Sequence, residues 1–341
     1  MTIREHDAVL LENRHLRVLV SLSRGGEIFE LRDKRTDIDL LWHHHAAVTS
    51  ARPFIATSNR AEGSFLDHFA GGWQEIFPSG GPATEFAGAE FGQHGEVALL
   101  PWSCEIQEDE PESVSVHLSV RCRRYPFRLD RWLTINDDRA VLRVQARATN
   151  LSPMDLPVMW GHHITFGHPF VSESLRLLLP PETPTQIPET LPTDSFTTGV
   201  GRWPLASSDP DVTSEDIGSI AGAQNHVFVG PVPVGHATLV NTQLDLGATV
   251  TWDADVLPHV WCWSVNGGAR AYPLFGAETL LTLEPFTSPF LSLAEAASSG
   301  HAPFVSGNAS IDHGLQLGLS SASAAEEAAV AAFAANEPSR V

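Results

Sequence analysis

Short runs in which apolar and polar residues alternate dominate the chain, and each has the length of a β-strand. In residues 114–120 every second residue is apolar, and in residues 141–148 one face is apolar while the other carries arginine and glutamine. A period of two is typical of antiparallel strands with one buried face and one wet face. Strands are therefore predicted at residues 16–22, 27–31, 114–120, 128–135, 140–148, 236–241, 247–252 and 279–284.

Turn-forming residues separate these runs. An NDD motif at residues 136–138 connects two predicted strands, and an NGG motif at residues 266–268 follows a tryptophan-rich strand as a hairpin signal would. Residues 179–192 are rich in proline, and residues 206–222 are rich in serine and aspartate. Both segments are predicted to be long loops.

The domain organisation follows from the similar character of the runs on both sides of those loops. An insertion within one β domain is favoured over a domain boundary. The sequence therefore predicts one all-β domain over residues 1–319. The alanine-rich tail, residues 320–341, is predicted to be either a short helix or disordered, and to lie outside any functional site.

Charge and cysteine content narrow the classes of partner and compartment. With 21 Lys+Arg against 41 Asp+Glu, the formal net charge is −20, which argues against nucleic acid as a partner. The 3 cysteines are far apart and form no CxxC pair, which indicates reduced thiols. Early charges at the N-terminus and the lack of a long apolar run predict a soluble, cytoplasmic protein without a membrane span.

The first candidate site is the GGWQEIFP segment at residues 71–78, where two glycines precede a large aromatic ring and two hydrogen-bonding side chains. Sugars bind by stacking C–H faces on aromatic rings and by pairing hydroxyls with amide, carboxylate and imidazole groups. Trp73, Gln74 and Glu75 are therefore candidate substrate-binding residues. The alternative is that Trp73 and Phe77 belong to the core.

The second candidate is the pair His94 and Glu96, two residues apart in an HGE motif. On a strand, residues at i and i+2 point to the same face, so both side chains could meet one small ligand. The alternative is a solvated histidine and glutamate on an exposed face.

The third candidate is the WGHHITFGHPF segment at residues 160–170, which contains His162, His163 and His168. Adjacent residues on a strand face opposite sides, so only one of His162 and His163 is expected to enter a given cavity. Histidine is suited to proton transfer near neutral pH because its unperturbed pKa is about 6.5.

The fourth candidate is Glu284, at the end of an apolar strand just before two prolines. A partly desolvated carboxylate has a raised pKa and is a better base. The alternative is a turn-capping glutamate or one paired to an arginine. Trp261, with Trp252 and Trp263, precedes it and could line the same cavity.

Taken in order, the HGE motif followed by LLPW, the WGHH and FGHPF motifs, and the LEPFTS motif resemble the aldose 1-epimerase (galactose mutarotase-like) superfamily. More narrowly, the chain is similar to the mutarotase-like branch in which GGWQEIFPSGG precedes HGE. The resemblance covers roughly residues 9–319. It implies a β-supersandwich of many antiparallel strands with a sugar cleft on one sheet.

The resemblance also implies residue roles. Glu284 corresponds to the glutamate that removes the anomeric hydroxyl proton, and His162 or His163 to the histidine that protonates the ring oxygen. His94 corresponds to a substrate-binding histidine, and Arg60, in an Asn-Arg pair, to a pair typical of galactose mutarotases. The reaction opens the pyranose, rotates C1 and recloses the ring, with no metal, nucleotide or redox cofactor.

One difference from the superfamily limits what the resemblance implies about the substrate. Glu96 stands where hexose-phosphate epimerases have an aromatic residue followed by arginine, so the phosphate-binding arginine of that branch is not evident. The sugar-binding aspartate has no diagnostic motif here. A small-molecule carbohydrate is the expected partner, its identity is open, and exposed strand edges are compatible with a homodimer.

Three alternatives to mutarotation remain open at this stage. Glu284 could abstract a proton next to a carbonyl in a keto-sugar or uronate, giving isomerisation, epimerisation or elimination. The cluster of His94, Glu96, His162, His163 and His168 could bind a metal, although consecutive histidines on a strand cannot all face one ion. The protein could also bind carbohydrate without catalysis.

Overall fold

Two large antiparallel β-sheets make up most of the computed structural model, which describes residues 1–3, 6–44, 63–207 and 209–336. The described strands of the first half of the chain are β1 (Thr2–Ile3), β2 (His6–Glu12), β3 (Leu16–Ser21), β4 (Ile28–Asp33), β5 (Ile38–Asp39), β6 (Trp73–Ile76), β7 (Thr84–Phe86), β8 (Ala89–Phe91), β9 (Ser103–Glu110), β10 (Ser113–Arg121), β11 (Phe127–Asn136) and β12 (Val141–Asn150). The second half adds β13 (Leu156–Pro157), β14 (Gly161–Gly167), β15 (Leu175–Leu178), β16 (Pro184–Ile187), β17 (Gly199–Arg202), β18 (Gln224–Val229), β19 (His236–Asn241), β20 (Leu246–Trp252), β21 (His259–Asn266), β22 (Thr279–Phe286), β23 (Phe304–Val305) and β24 (Ser310–Ser320).

The larger sheet has twelve strands among the described residues, in the order β1-β2-β3-β4-β6-β14-β22-β21-β18-β16-β17, with β5 beside β4. The second sheet has eight, in the order β15-β19-β20-β24-β12-β11-β10-β9. Strands β13 and β23 form one small ribbon, and β7 and β8 form another. Each sheet combines strands from distant parts of the sequence, so β14, β22, β21 and β18 lie side by side in the larger one.

The helices are short: α1 (Gly63–Leu66), α2 (Leu293–Ser298) and α3 (Ala322–Ala334). The alanine-rich tail is therefore helical over most of its described length. Ala322, Ala325 and Ala329 are buried on the face of α3 that packs against β19 and β20. No helix among the described residues is long and apolar enough to cross a lipid bilayer.

The all-β class predicted from the sequence is confirmed. Each of the eight predicted runs coincides with an observed strand to within two residues at either end. The prediction of a continuous loop over residues 179–192 was wrong, because β16 lies within it and pairs with β17 and β18. Pro184 is the first residue of that strand, a position where the missing N–H is tolerated.

The NGG signal precedes a wider connection than a tight hairpin. Strands β21 and β22 do pair, with Asn266 opposite Thr279, but residues 267–278 form a long loop between them. At Gly268 an added Cβ would lie 2.1 Å from the carbonyl carbon of Ala223, so only glycine lets the loop pack against that backbone. This loop, called here the β21–β22 loop, borders the cavity described below.

The two sheets enclose the main hydrophobic core, and one ion pair is buried inside it. Arg131 of β11, in the second sheet, and Glu75 of β6, in the larger sheet, are both fully buried, with Nη1 and Oε2 3.4 Å apart. Trp160 Nε1 donates to the other oxygen of Glu75 at 2.7 Å, and Arg131 also donates to the carbonyl of Gly26. Burial raises the pKa of Glu75, and the arginine offsets part of that shift. The pair therefore links the two sheets, and the link depends on both side chains.

Replacing Arg131 with methionine should lower the free energy of unfolding by about 3–5 kcal/mol, because it leaves a buried carboxyl without its cation. Arg128→Met on the same strand is the matched control. Arg128 is half-exposed and pairs with Asp130, so its loss should cost less than about 1 kcal/mol. Urea unfolding followed by tryptophan fluorescence measures both, and equal losses would contradict a linking role for the buried pair.

Candidate active site

A cavity of about 450 Å³ lies over the middle of the larger sheet, on the face turned away from the second sheet. Its floor consists of side chains from β14, β22, β21 and β18. The walls are formed by α1 and the residues after it, by the segment that carries His94, and by the β21–β22 loop. This volume lies within the range of small-molecule sites.

Aromatic and polar side chains share the lining. The aromatic members are Phe65, Phe69, Phe228, Trp261, Trp263 and Tyr272. The polar and charged members are Gln93, His94, His163, Gln224, His226, Arg270 and Glu284. Flat rings beside a few hydrogen-bonding groups suit a ligand with both apolar faces and hydroxyls.

Glu284 and His163 face each other on the floor. Glu284 Oε1 lies 3.8 Å from His163 Nε2, and both side chains are buried. Burial raises the pKa of Glu284 well above its ordinary value and lowers the pKa of His163 well below its own, with neighbouring His94 adding to the latter shift. The separation alone would permit an ion pair, but desolvation favours the neutral form of both groups. We therefore assign the pair a neutral carboxyl and a neutral imidazole.

A threonine holds the other nitrogen of His163. Thr165 Oγ1 lies 3.1 Å from His163 Nδ1, and Thr282 Oγ1 donates to Thr165 Oγ1 at 3.4 Å. Because the hydrogen bond at one ring nitrogen sets the tautomer, a threonine oxygen that accepts from Nδ1–H leaves Nε2 free to take up and release a proton. Nε2 is the nitrogen that faces Glu284.

His94 packs beside this pair in a constrained backbone conformation. Its ring lies 5.3 Å from the His163 ring and 4.5 Å from the Phe65 ring, measured between centroids. Burial lowers the pKa of His94 to about 4, so the ring is neutral at neutral pH. Its φ of 60° is unusual for a residue with a Cβ, and conformations of this kind cluster at functional sites.

Three buried polar atoms on lining residues have no hydrogen-bond partner among the described residues: His94 Nδ1, Trp263 Nε1 and Glu284 Oε2. Buried polar groups are normally paired, because leaving one unpaired costs about 1–3 kcal/mol. Unpaired donors and an unpaired acceptor in one cavity indicate a polar ligand that forms hydrogen bonds with them.

His226 and the tryptophans form an aromatic side of the cavity. The His226 ring is stacked on Trp263 with an interplanar angle of 16°. Its Nδ1 is 2.8 Å from the carbonyl of Pro192, and burial lowers its pKa to about 4. Trp261 stacks on Phe286 and donates from Nε1 to the carbonyl of Ser288 at 2.8 Å, which fixes its orientation.

Of the predicted site residues, Glu284, His163, His94 and Trp261 border the cavity together. His162 points to the opposite face of β14, where its Nδ1 accepts from Trp73 Nε1 at 3.1 Å and its ring packs on His313 of the second sheet. Of His162 and His163, the histidine that meets the cavity is therefore His163.

The remaining predicted residues lie away from the cavity. Trp73 is fully buried between the sheets, and Glu75 is the carboxylate of the Arg131 pair. Gln74 donates to Glu27 at 3.1 Å. Glu75 lies opposite His162 of β14 and shares its core-facing side, whereas Gln74 lies opposite His163 but does not line the cavity.

Glu96 and His168 also lie outside the cavity lining, and Arg60 is not among the described residues. The Glu96 carboxylate accepts from the backbone N–H groups of Arg123 and Arg124, at 2.8 to 3.3 Å, so its side chain caps a turn of the second sheet. His168 is exposed and does not line the cavity. Arg60 falls in the segment that is not described.

Within the described ranges, no group of three or more His, Cys, Asp or Glu side chains is arranged to hold a metal ion. Of the histidines of the metal alternative, His94 and His163 both border the cavity, whereas His162 faces the core and His168 is exposed.

Several lining residues were missed by the sequence reasoning. Gln93 directly precedes His94, and His226 stands in a run that alternates over β18, so both carried a local signal. Arg270 and Tyr272 belong to the β21–β22 loop, where no motif marked them, and Phe65 and Phe69 reach the cavity only through the tertiary fold.

Comparison with known proteins bears on the fold and the family. The sequence profile described as a domain of unknown function (DUF4432) matches residues 4–319. None of the curated proteins matches the chain.

Solved structures share the fold at low sequence identity. The Slr1438 protein from Synechocystis sp. PCC 6803 is 17% identical, with a TM-score of 0.68 over 94% of this chain and 99% of its own. A Klebsiella pneumoniae protein, provisionally described as an aldose 1-epimerase, is 16% identical, with a TM-score of 0.70 over 96% of this chain and 82% of its own. A galactose mutarotase-like protein from Lactobacillus casei ATCC 334 is 16% identical, with a TM-score of 0.58 over 92% and 100%. The predicted galactose mutarotase-like β-sandwich is therefore confirmed as the fold.

Gly95→Ala should destabilise the protein and displace His94. Gly95 has a φ of 77°, and an added Cβ would lie 2.2 Å from the carbonyl oxygen of Phe77. Gly88 is the matched control, because its φ is 81° but an added Cβ meets nothing within 4 Å. Gly88→Ala should lower the free energy of unfolding by about 1–2 kcal/mol, because of the left-handed backbone alone. Gly95→Ala should lower it by clearly more, and urea unfolding measures both. Similar losses would show that the close contact under His94 is not a constraint.

Proposed function

We propose that this chain, which belongs to the DUF4432 family and has the galactose mutarotase-like fold, is an aldose 1-epimerase that interconverts the anomers of a sugar. The observation that carries the proposal is the desolvated pair of Glu284 and His163, with Oε1 and Nε2 3.8 Å apart on the floor of a cavity lined with aromatic rings.

The spacing of the pair suits the two oxygens that react. In a pyranose the anomeric hydroxyl oxygen and the ring oxygen are bonded to the same carbon, so a base and an acid must act close together. Both Glu284 and His163 project from neighbouring strands into one cavity, and each can reach one of those oxygens if the anomeric carbon lies over the pair.

The reaction needs one proton removed and one supplied. Glu284, as carboxylate, takes the proton of the anomeric hydroxyl while His163, as imidazolium, gives its Nε2 proton to the ring oxygen. The bond between C1 and the ring oxygen breaks, and an open-chain aldehyde forms. Rotation about the C1–C2 bond and the reverse proton transfers close the ring as the other anomer, so atoms and protons balance over the cycle.

The resting pair already holds the proton that this scheme requires. A neutral carboxyl with a neutral imidazole has the same number of protons as a carboxylate with an imidazolium. Moving one proton from Glu284 to His163 Nε2 therefore produces the active form without exchange with solvent. We expect sugar hydroxyls to favour this shift, because they can donate to Glu284 Oε2, which has no partner among the described residues.

The surrounding residues are suited to hold a sugar over the pair. Trp263, with His226 stacked on it, offers a flat apolar face, and Trp261 forms a second wall. The unpaired donors His94 Nδ1 and Trp263 Nε1 can pair with hydroxyls. The mutarotase-like proteins that share the fold support the same class of chemistry, without identifying the substrate.

Glu284→Gln should lower the catalysed rate of anomer equilibration by about 10²–10⁴-fold, because the amide cannot act as a base. The rate is measured by polarimetry on freshly dissolved aldoses and uronic acids. Glu30→Gln, another buried carboxyl, which pairs with Arg32 far along the same sheet, is the matched control and should retain the wild-type rate. A wild-type protein that accelerates none of these sugars would refute the proposal.

The pH profile of kcat should be flat around neutral pH. On the acid side the pair gains a second proton only below the lowered pKa of His163, and on the alkaline side it loses its proton only above the raised pKa of Glu284. Activity therefore falls at both extremes and not in the middle. Rates corrected for uncatalysed mutarotation, measured from about pH 5 to pH 9, test this. A tenfold fall per unit starting at about pH 6.5 would instead indicate an ordinary histidine.

A further inference from the structure

We propose that Arg270 selects an anionic sugar, one that carries a carboxylate or phosphate at C6. This inference rests on the proposed function and assigns the class of its substrate. Arg270 lies in the β21–β22 loop at the rim of the cavity, whereas Glu284 and His163 lie on its floor.

Arg270 stands out among the residues that line the cavity. In the described part of the chain it is the only lysine or arginine there, and Glu284 is the only carboxylate. Many of the described arginines pair with an acidic side chain, as Arg14 does with Asp137 and Arg176 with Glu215. Arg270 forms no ion pair or hydrogen bond with any described residue, and among such described arginines it is the one that borders the cavity. Within the described part of the chain, its guanidinium is therefore available to bind an anionic ligand in the cavity.

The charge balance inside the cavity favours the same conclusion. Burial lowers the pKa values of His94, His163 and His226, which favours their neutral forms, and it raises the pKa of Glu284, which favours the protonated carboxyl. The described lining therefore carries a net positive charge from Arg270 alone, within a chain whose formal net charge is −20. A lone positive group in a concave, partly apolar site attracts anions locally even where the average field repels them.

The loop that carries Arg270 is held in place by two contacts just after it in the chain. Tyr272 donates from its hydroxyl to Asp67, which follows α1, and His44 Nε2 lies 3.2 Å from the carbonyl of Pro273. These contacts fix the backbone next to Arg270 while its side chain stays exposed. A planar guanidinium can then bind carboxylate or phosphate oxygens through two parallel hydrogen bonds.

The position of Arg270 sets where the anionic group must lie. If the anomeric carbon lies over Glu284 and His163 on the floor, a charged substituent that projects from the ring toward the rim can reach Arg270. A C6 carboxylate or a C6 phosphate, carried on C5 beside the ring oxygen, is such a substituent. The two groups share the chemistry that Arg270 recognises, and they differ in charge and reach.

The test compares matched sugars and matched variants. Mutarotation is measured for glucose, glucuronate and glucose 6-phosphate, and for galactose and galacturonate, with wild type, Arg270→Gln, Arg270→Lys and Arg139→Gln. Arg139 is exposed on the β11–β12 turn of the other sheet, so its variant has the same change in net charge far from the cavity. The wild type should favour at least one anionic sugar over its neutral partner in kcat/KM, and uronate against phosphate distinguishes the two sources.

Arg270→Gln should lower kcat/KM for that anionic sugar about 10–100-fold more than for the neutral one, because a hydrogen-bonded charge pair is lost. Arg270→Lys should fall between the two, and Arg139→Gln should match the wild type. A wild type without preference for any anionic sugar, or equal losses on both kinds of sugar, would overturn the inference.

Failure of the proposed function gives a separate result. If no sugar is accelerated, binding of glucuronate, galacturonate and glucose 6-phosphate is measured by titration calorimetry. Binding that Arg270→Gln weakens about 10-fold or more would support the assignment of substrate class without mutarotation. No detectable binding of any anionic sugar, or binding that Arg270→Gln leaves unchanged, would overturn it.

Discussion

The alternation of side chains along β14 is the constraint on which the site depends. Because neighbouring residues on a strand face opposite sides, His163 meets the cavity and His162 meets the core. The same strand thus contributes His163 to the cavity and, on its other face, an imidazole held by Trp73 against the second sheet. A shift of one residue in register would exchange the two histidines and remove the pair with Glu284.

Desolvation explains the electrostatic character of the cavity. It raises the pKa of Glu284 and lowers that of His163, so the floor is neutral at rest but can move one proton between two atoms 3.8 Å apart. A neutral floor leaves the charge of the described lining to Arg270 at the rim. Burial therefore accounts both for the proposed proton transfer and for the proposed preference for an anionic sugar.

The sequence predicted the fold well because a period of two is a local signal, and the eight alternating runs all form strands. It also singled out Glu284, His94 and the histidine pair, which stand next to glycine, proline and aromatic residues. It could not separate cavity residues from core residues in the GGWQEIFP segment, since Glu75 is buried with a partner, Arg131, from the other sheet and Trp73 is buried against His162 of β14. Arg270 lies in a long loop and Phe69 follows a short helix, and no motif marked either segment as part of a site.

The most direct test of the account is NMR saturation transfer between the two anomeric protons of a sugar at equilibrium in deuterated water, with catalytic amounts of the protein. The account predicts transfer between the α and β signals, abolished in Glu284→Gln, with no deuterium entering any carbon–hydrogen bond, because ring opening exchanges only hydroxyl protons. Deuterium at a carbon would instead indicate proton abstraction next to a carbonyl. Absence of transfer for every neutral and anionic sugar would contradict acid–base ring opening by Glu284 and His163.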